Sequence, residues 1–291
     1  MQGTEGAPDE RDRAVTTVAE DGSFRVITVR STHTVSAAIA AQRAKGRSAE
    51  HLADLITGSV LVRLTMAPDL RVQSLVRGQT GKGTIVADCH PDGSCRGMVR
   101  ETAGPIEVGP GSLVQMTRSL PNGTLHQGIV EVPETYGISG ALMVYMLQSE
   151  QVTSVIGVGC VMSEDEQVAV AGGWIVQLLP ECKEPPLEVM YQRMRLDFSD
   201  VKSVLRTMAG DPDAMQSEIL YGMPYQTTGT AEIAHRCQCS PERVFASLAT
   251  LGREELDDIV RKGETLFISC DYCGRPYEIL AESLRGLIEA S

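Results

Sequence analysis

Two close pairs of cysteines near the carboxyl end are the residues in this sequence best placed to do chemistry. Cys237-Gln238-Cys239 supplies a C-x-C pair and Cys270-Asp271-Tyr272-Cys273 a C-x-x-C pair, with 30 residues between them. Thiolates set as two short-spaced pairs around a folded insert are how a closed, tetrahedral four-thiolate zinc site is assembled. Gly274, directly after the second pair, lets the backbone wrap tightly enough for amides to point at thiolate sulfur. The expected ligands of one Zn2+ are therefore Cys237, Cys239, Cys270 and Cys273. His235 is near in sequence, but four thiolates already complete the tetrahedron, so it is expected beside the site or exposed.

The elements that must position these cysteines are readable in the insert. Ser240 suits a helix N-cap with Pro241 at the first helical position, and Gly252 suits the stop. REELDDIVRK then reads as a second helix and TLFIS as a returning strand. A module of this size has little core of its own, whereas a structural zinc contributes about 10–16 kcal/mol in small finger peptides. Its fold is thus expected to depend on the metal. Only thiolates hold the metal, so oxidising them should release the zinc and melt the module.

Upstream, SFRVITVRST alternates as a strand does, and apolar residues recur at helical spacing over 35–44 and 48–66. From 70 to 135 the texture becomes short alternating runs: LRVQSLVRG, GTIVADC, and SLVQMTRSL with TLHQGIVEV as a hairpin turning at Asn122-Gly123. GISGALMVYMLQSEQ reads as a helix, and VTSVIGVGCVM and QVAVAGGWIVQLLP as two buried strands. Pro185 and Pro186 mark a boundary, after which Leu, Val and Met recur at helical intervals over 187–221, broken at Gly210-Asp211-Pro212. The fold class expected is α+β: a large amino-terminal core of β-sheet and helix (1–181), a helical connector (182–230) and a small carboxyl-terminal zinc-binding redox-switch domain (231–291).

Cys237-Gln238-Cys239-Ser240, the insert and Cys270-Asp271-Tyr272-Cys273-Gly274 resemble the redox-switch domain of the 33 kDa chaperonin family, the redox-regulated heat-shock holdases. Arg96-Gly97, Ser149-Glu150-Gln151 and Ala171-Gly172-Gly173 followed by WIVQLLP are similar to that family's core segments, so the resemblance covers most of the chain. It implies a reduced, zinc-bound, inactive form and an oxidised form with disulfides Cys237–Cys239 and Cys270–Cys273. It also implies that zinc loss and unfolding of the connector expose apolar surface, which binds unfolding client proteins without ATP, often with formation of a homodimer. A C-x-C pair in an extended strand has its Cα atoms roughly 6.6 Å apart, near the upper limit for a disulfide, so bridging Cys237 to Cys239 requires local rearrangement.

Other signals weigh less. Cys89 and Cys95 flank His90 but lack two further ligands for a metal, Cys160 sits in an apolar strand and reads as core, and no role is carried onto Cys182. Gly78–Thr84 resembles a phosphate loop, but Val76 stands where its first glycine belongs, Gly83 replaces the magnesium-binding hydroxyl, and a strand follows instead of a helix. Met190, Met194, Met208, Met215 and Met223 make the connector soft, which suits a surface that accepts varied clients, and ordinary helix packing accounts for them about as well. The net charge of −12, and the 7 Lys and Arg against 11 Asp and Glu of residues 231–291, disfavour nucleic acid. The competing reading of that domain is a zinc-ribbon interaction module with purely structural zinc. Cys270 and Cys273 lack the βαβ setting of a thiol oxidoreductase, and no catalytic constellation marks an enzyme. The polar start MQGTEGAPDERDR has no secretory signal pattern, and no apolar stretch nears the roughly 18 residues of a membrane span, so a cytoplasmic location without membrane attachment is expected.

Overall fold

The computed structural model describes residues 11–284 apart from Lys82, Pro121, Asn122, residues 249–252 and Glu264. The chain divides into two compact units, Met1–His235 and Arg236–Ser291. In the first, strands β1 (Arg13–Ala19) and β2 (Phe24–Arg30) lead into helices α1 (Thr32–Gln42) and α2 (Gly46–Leu64). Strands β3 (Val72–Arg77), β4 (Gly83–Cys89), β5 (Ser94–Glu101), β6 (Leu113–Ser119) and β7 (Leu125–Glu131) follow, then helix α3 (Gly137–Ser149) and strands β8 (Ser154–Met162) and β9 (Val168–Leu178). Helices α4 (Glu184–Leu196), α5 (Val201–Thr207) and α6 (Pro212–Ile219) precede strands β10 (Tyr225–Glu232) and β11 (Ala234–His235).

The strands form two sheets, ordered β10-β1-β2-β9-β8 and β11-β5-β4-β3-β6-β7. Helix α2 packs against strands of both, and its 13 buried residues fit that position because a helix faced by sheet on both sides is apolar around most of its surface. Helices α1 and α3 extend the same layer, and Leu52, Leu55 and Ile56 join Ile27, Ile85, Leu142 and Ile175 in its core. A second apolar cluster covers the other face of the first sheet. There Met190, Met194 and Phe198 of the α4 segment, Val204 and Leu205 of α5, and Met215 and Ile219 of α6 pack on Phe24, Val26, Trp174 and Val176.

The α+β class and the helices and strands expected from periodicity are present, with ends shifted by a few residues. Strands β1, β5, β10 and β11 are not among the elements expected from the sequence. β1 pairs with β2 on one side and β10 on the other, and β5 is an arginine-containing run pairing with β4. β10, most of whose residues are exposed, has no apolar alternation and owes its conformation to a partner some two hundred residues away. The stretch expected to be a helical connector over 182–230 is thus helical to Ile219 and extended from Tyr225, and its helices belong to the first compact unit. Pro185 and Pro186 lie in the first turn of α4, where a missing N–H costs nothing. The hairpin between β6 and β7 forms as expected, although Asn122 of its turn lies outside the described residues. Gln79–Gly81 form a short 3-10 turn and β4 begins at Gly83, so a strand stands where a phosphate loop would open a helix. No helix among the described residues is long and apolar enough to cross a membrane.

Candidate metal centre

The second unit is small. Helices α7 (Pro241–Leu248) and α8 (Arg253–Lys262) precede a hairpin of strands β12 (Leu266–Ser269) and β13 (Pro276–Ile279). Ser240 caps α7 by accepting from the Arg243 amide at 3.3 Å, as its sequence position predicts, whereas the expected stop at Gly252 lies outside the described residues. Among the described residues, the core of this unit has Leu248, Ile279 and Leu284 as its buried members, with Val244, Phe245, Ile259 and Leu266 partly buried around them. Phe267 of β12 is exposed.

The hairpin holds the C-x-x-C pair at its tip. Ser269 faces Pro276 in register, the Cys270 amide donates to the Arg275 carbonyl at 2.9 Å, and the Gly274 amide donates to the Cys270 carbonyl at 2.8 Å. Gly274 has φ +69°, the left-handed conformation that glycine adopts without strain. This turn aims the amides of Tyr272 and Cys273 at the Cys270 sulfur, and that of Arg275 at the Cys273 sulfur. The C-x-C pair is steadied from α7, where the Arg243 guanidinium donates to the Gln238 carbonyl at 2.8 Å.

All four sulfurs lie within 4.8 Å of one another. The Sγ atoms of Cys237 and Cys270 are 3.7 Å apart and those of Cys239 and Cys273 3.5 Å. A sulfur tetrahedron around a metal at about 2.3 Å has edges of about 3.8 Å, so the donor set fits a closed tetrahedral thiolate site. The Tyr277 hydroxyl, on β13, donates to the Cys239 sulfur at 3.0 Å. Burial alone would raise the Cys239 thiol, but hydrogen bonds from Tyr277 and from the other three thiols hold it down at about 7. Burial pushes Cys273 up to about 12 and also raises Cys270, against the amide hydrogen bonds that work the other way. A group near 7 supplies a ready thiolate, the form that both binds metal and reacts with oxidants.

The structure therefore brings together the four cysteines singled out by their spacing. His235 is held in β11, opposite Cys95, and is half-buried. No other group of three or more His, Cys, Asp or Glu among the described residues is arranged to hold a metal. Sequence reasoning missed Tyr277 and Arg243. Their roles follow from the hairpin fold and the α7 cap, and spacing carried no signal of either.

The family model described as Hsp33 protein matches residues 12–280. The chain belongs to the Hsp33 family. Relatives include a 33 kDa chaperonin of Syntrophotalea carbinolica, 26% identical over 96% of this chain and 99% of its own length. Another, from Streptococcus pyogenes serotype M49, is 27% identical over 95% and 98% respectively. The crystal structure of a 33 kDa chaperonin, a heat shock protein 33 homologue from Thermotoga maritima, shares the fold at a TM-score of 0.80 and 22% identity, over 97% of this chain and 99% of that one.

Proposed function

We propose that this Hsp33-family chain is an ATP-independent chaperone of the holdase type, inactive while Cys237, Cys239, Cys270 and Cys273 hold one Zn2+ and activated when those thiols are oxidised. The observation that carries the reading is the pairing of four gathered, oxidisable sulfurs with a small apolar core, built among the described residues on Leu248, Ile279 and Leu284. When bound, zinc supplies the cross-link that this core is too small to replace.

Oxidation by a peroxide proceeds in pairs. One thiolate takes an oxygen atom to become a sulfenic acid, and a second sulfur displaces it as water, so each disulfide consumes one peroxide and yields two waters. In the folded cluster all four sulfurs are mutual neighbours, so proximity does not choose partners. The pairing of Cys237 with Cys239 and of Cys270 with Cys273 is the one that the family resemblance implies for the oxidised form.

The client surface is assigned to the apolar cluster under α4–α6. Helix α4 buries Met190 and Met194 yet leaves Leu187, Val189, Tyr191 and Leu196 exposed, so it is apolar on more than the face that docks. A cleft of about 780 Å³ lined by Phe24, Trp174, Met190, Met194 and Phe198 lies beneath it. Loosening these helices would extend that cleft into a broad apolar face of the kind that binds unfolded chains.

The test is suppression of thermal aggregation of a client enzyme by reduced protein and by protein treated with peroxide under mild heat, with zinc release and thiol loss followed together. Loss of one zinc with four thiols, and protection only after oxidation, is the expected result. Equal protection by both forms sinks the redox switch, and protection by neither sinks the chaperone reading.

A further inference from the structure

Cys89 and Cys95 lie far from the candidate metal centre in sequence and take no part in it, yet the fold sets them face to face. They are partners in the antiparallel register of β4 and β5. The His90 amide donates to the Ser94 carbonyl at 2.9 Å, closing the hairpin, so the next pair inward, Cys89 and Cys95, is of the non-hydrogen-bonded kind. Residues opposed in that way have Cα atoms about 4.5 Å apart and the closer side chains of the two pair types. A disulfide needs a Cα separation of about 4.4–6.8 Å, so this site reaches the bond without a change of register. Cys89 Sγ approaches the Ile56 carbonyl of α2 at 4.0 Å and Cys95 Sγ the Gly93 carbonyl at 3.8 Å.

Access comes from one side. Cys89 is fully buried and Cys95 is 2% exposed, but Cys95 forms part of the wall of a 240 Å³ pocket with Arg63, His90 and Ile233. That volume admits a molecule of the size of hydrogen peroxide. The same hairpin receives β11: Ala234 and His235 run parallel to Ser94 and Cys95, and the Ala234 amide donates to the Gly93 carbonyl at 3.0 Å. Gly93 has φ +77°, and a Cβ there would stand 2.0 Å from the Glu232 carbonyl oxygen, so the strap meets this turn backbone to backbone.

We propose that Cys89 and Cys95 are a second oxidation site, closing to a cross-strand disulfide that staples the hairpin on which residues 232–235 rest. Cys95, the thiol lining the pocket, takes an oxygen atom from a peroxide to become a sulfenic acid and releases one water. The Cys89 sulfur then attacks it, a second water leaves, and two thiols have been oxidised at the cost of one peroxide. The neighbouring Cys95 thiol and burial both raise the Cys89 thiol and keep its proton in place, which makes this couple slow to react. The site stands apart from the proposed function and would hold even if the second unit never released a metal.

Both cysteines fall in the single tryptic peptide of residues 83–96, which makes the test direct. The full-length wild-type protein is treated with a graded series of peroxide concentrations, quenched in acid, alkylated under denaturing conditions and digested. The expected result is a peptide 83–96 that carries two alkyl groups before oxidation and, after it, carries none and is lighter by two hydrogens. Peptide that still bears both labels at a tenfold excess over the peroxide that oxidises Cys237, Cys239, Cys270 and Cys273 overturns the proposal. So does a peptide carrying added oxygen, or a link from either cysteine to Cys160 or Cys182.

Discussion

Tyr277 reaches back 38 residues in sequence to place its hydroxyl on the Cys239 sulfur, and what that single contact does can be isolated by one atom. A hydrogen bond to a coordinating thiolate disperses its charge and fixes its direction, and partners of this kind are typically worth about 10–100-fold in metal affinity. Tyr277→Phe keeps the ring, whose residue is buried on β13, and removes only the donor. The variant is expected to lose zinc to a competing chelator at a roughly tenfold lower chelator concentration with its fold intact. An unchanged affinity would show the hydroxyl to be incidental. At this scale the sequence was legible where chemistry and spacing coincide, as in the four cysteines. It was silent for Tyr277 and Arg243, because a tyrosine on a strand or an arginine in a helix's first turn has no spacing rule tying it to a sulfur.

Helix α4 is held by few specific contacts. The Arg193 guanidinium reaches the carbonyls of Ile219 and Tyr221, tying α4 to the end of α6, and Phe198, just past the helix, meets Trp174 edge to face at a centroid distance of 5.1 Å. The rest is methionine and aliphatic packing, which tolerates rearrangement. Phe198→Ala removes a buried ring, a change worth about 3–5 kcal/mol in well-packed cores. Much of that loss should fall on α4, whose docking depends on it, so the reduced variant is expected to protect a client in part without oxidation. Trp174 is the only tryptophan, and its emission should shift to the red in the same variant. Full latency with unshifted emission would show that α4 does not gate the apolar face. These helices were legible from their periodicity, but β10 was not, since a mostly exposed edge strand shows no alternation and its pairing with β1 lies beyond any local window.

Across the whole chain, the two compact units differ sharply in what holds them. The first has two extensive apolar clusters, one enclosed between sheets and one beneath α4–α6, whereas the second, among the described residues, has one small apolar cluster and a cluster of thiols. The cysteine pairs and the apolar runs that mark the two units are local signals, readable in the sequence. Where the first unit ends is not, because β10 and β11 return to its sheets after the helices and only the assembled fold reveals that. Stability should therefore be lost in two steps with different triggers. Under reducing conditions a strong chelator removes the cross-link, and residues 236–291, left with too little apolar burial to offset their chain entropy, are expected to unfold. Trp174 reports on the other step, since it belongs to the cluster under α4–α6 and is 1% exposed. Chelation at ordinary temperature should cost helical circular dichroism and increase protease sensitivity after residue 235 while Trp174 emission holds, and heat should then be needed to move it. That order explains why oxidation and mild heat together would be the activating signal. If Trp174 emission shifts in step with zinc loss without heating, the two units unfold as one, and metal release alone would expose the apolar face.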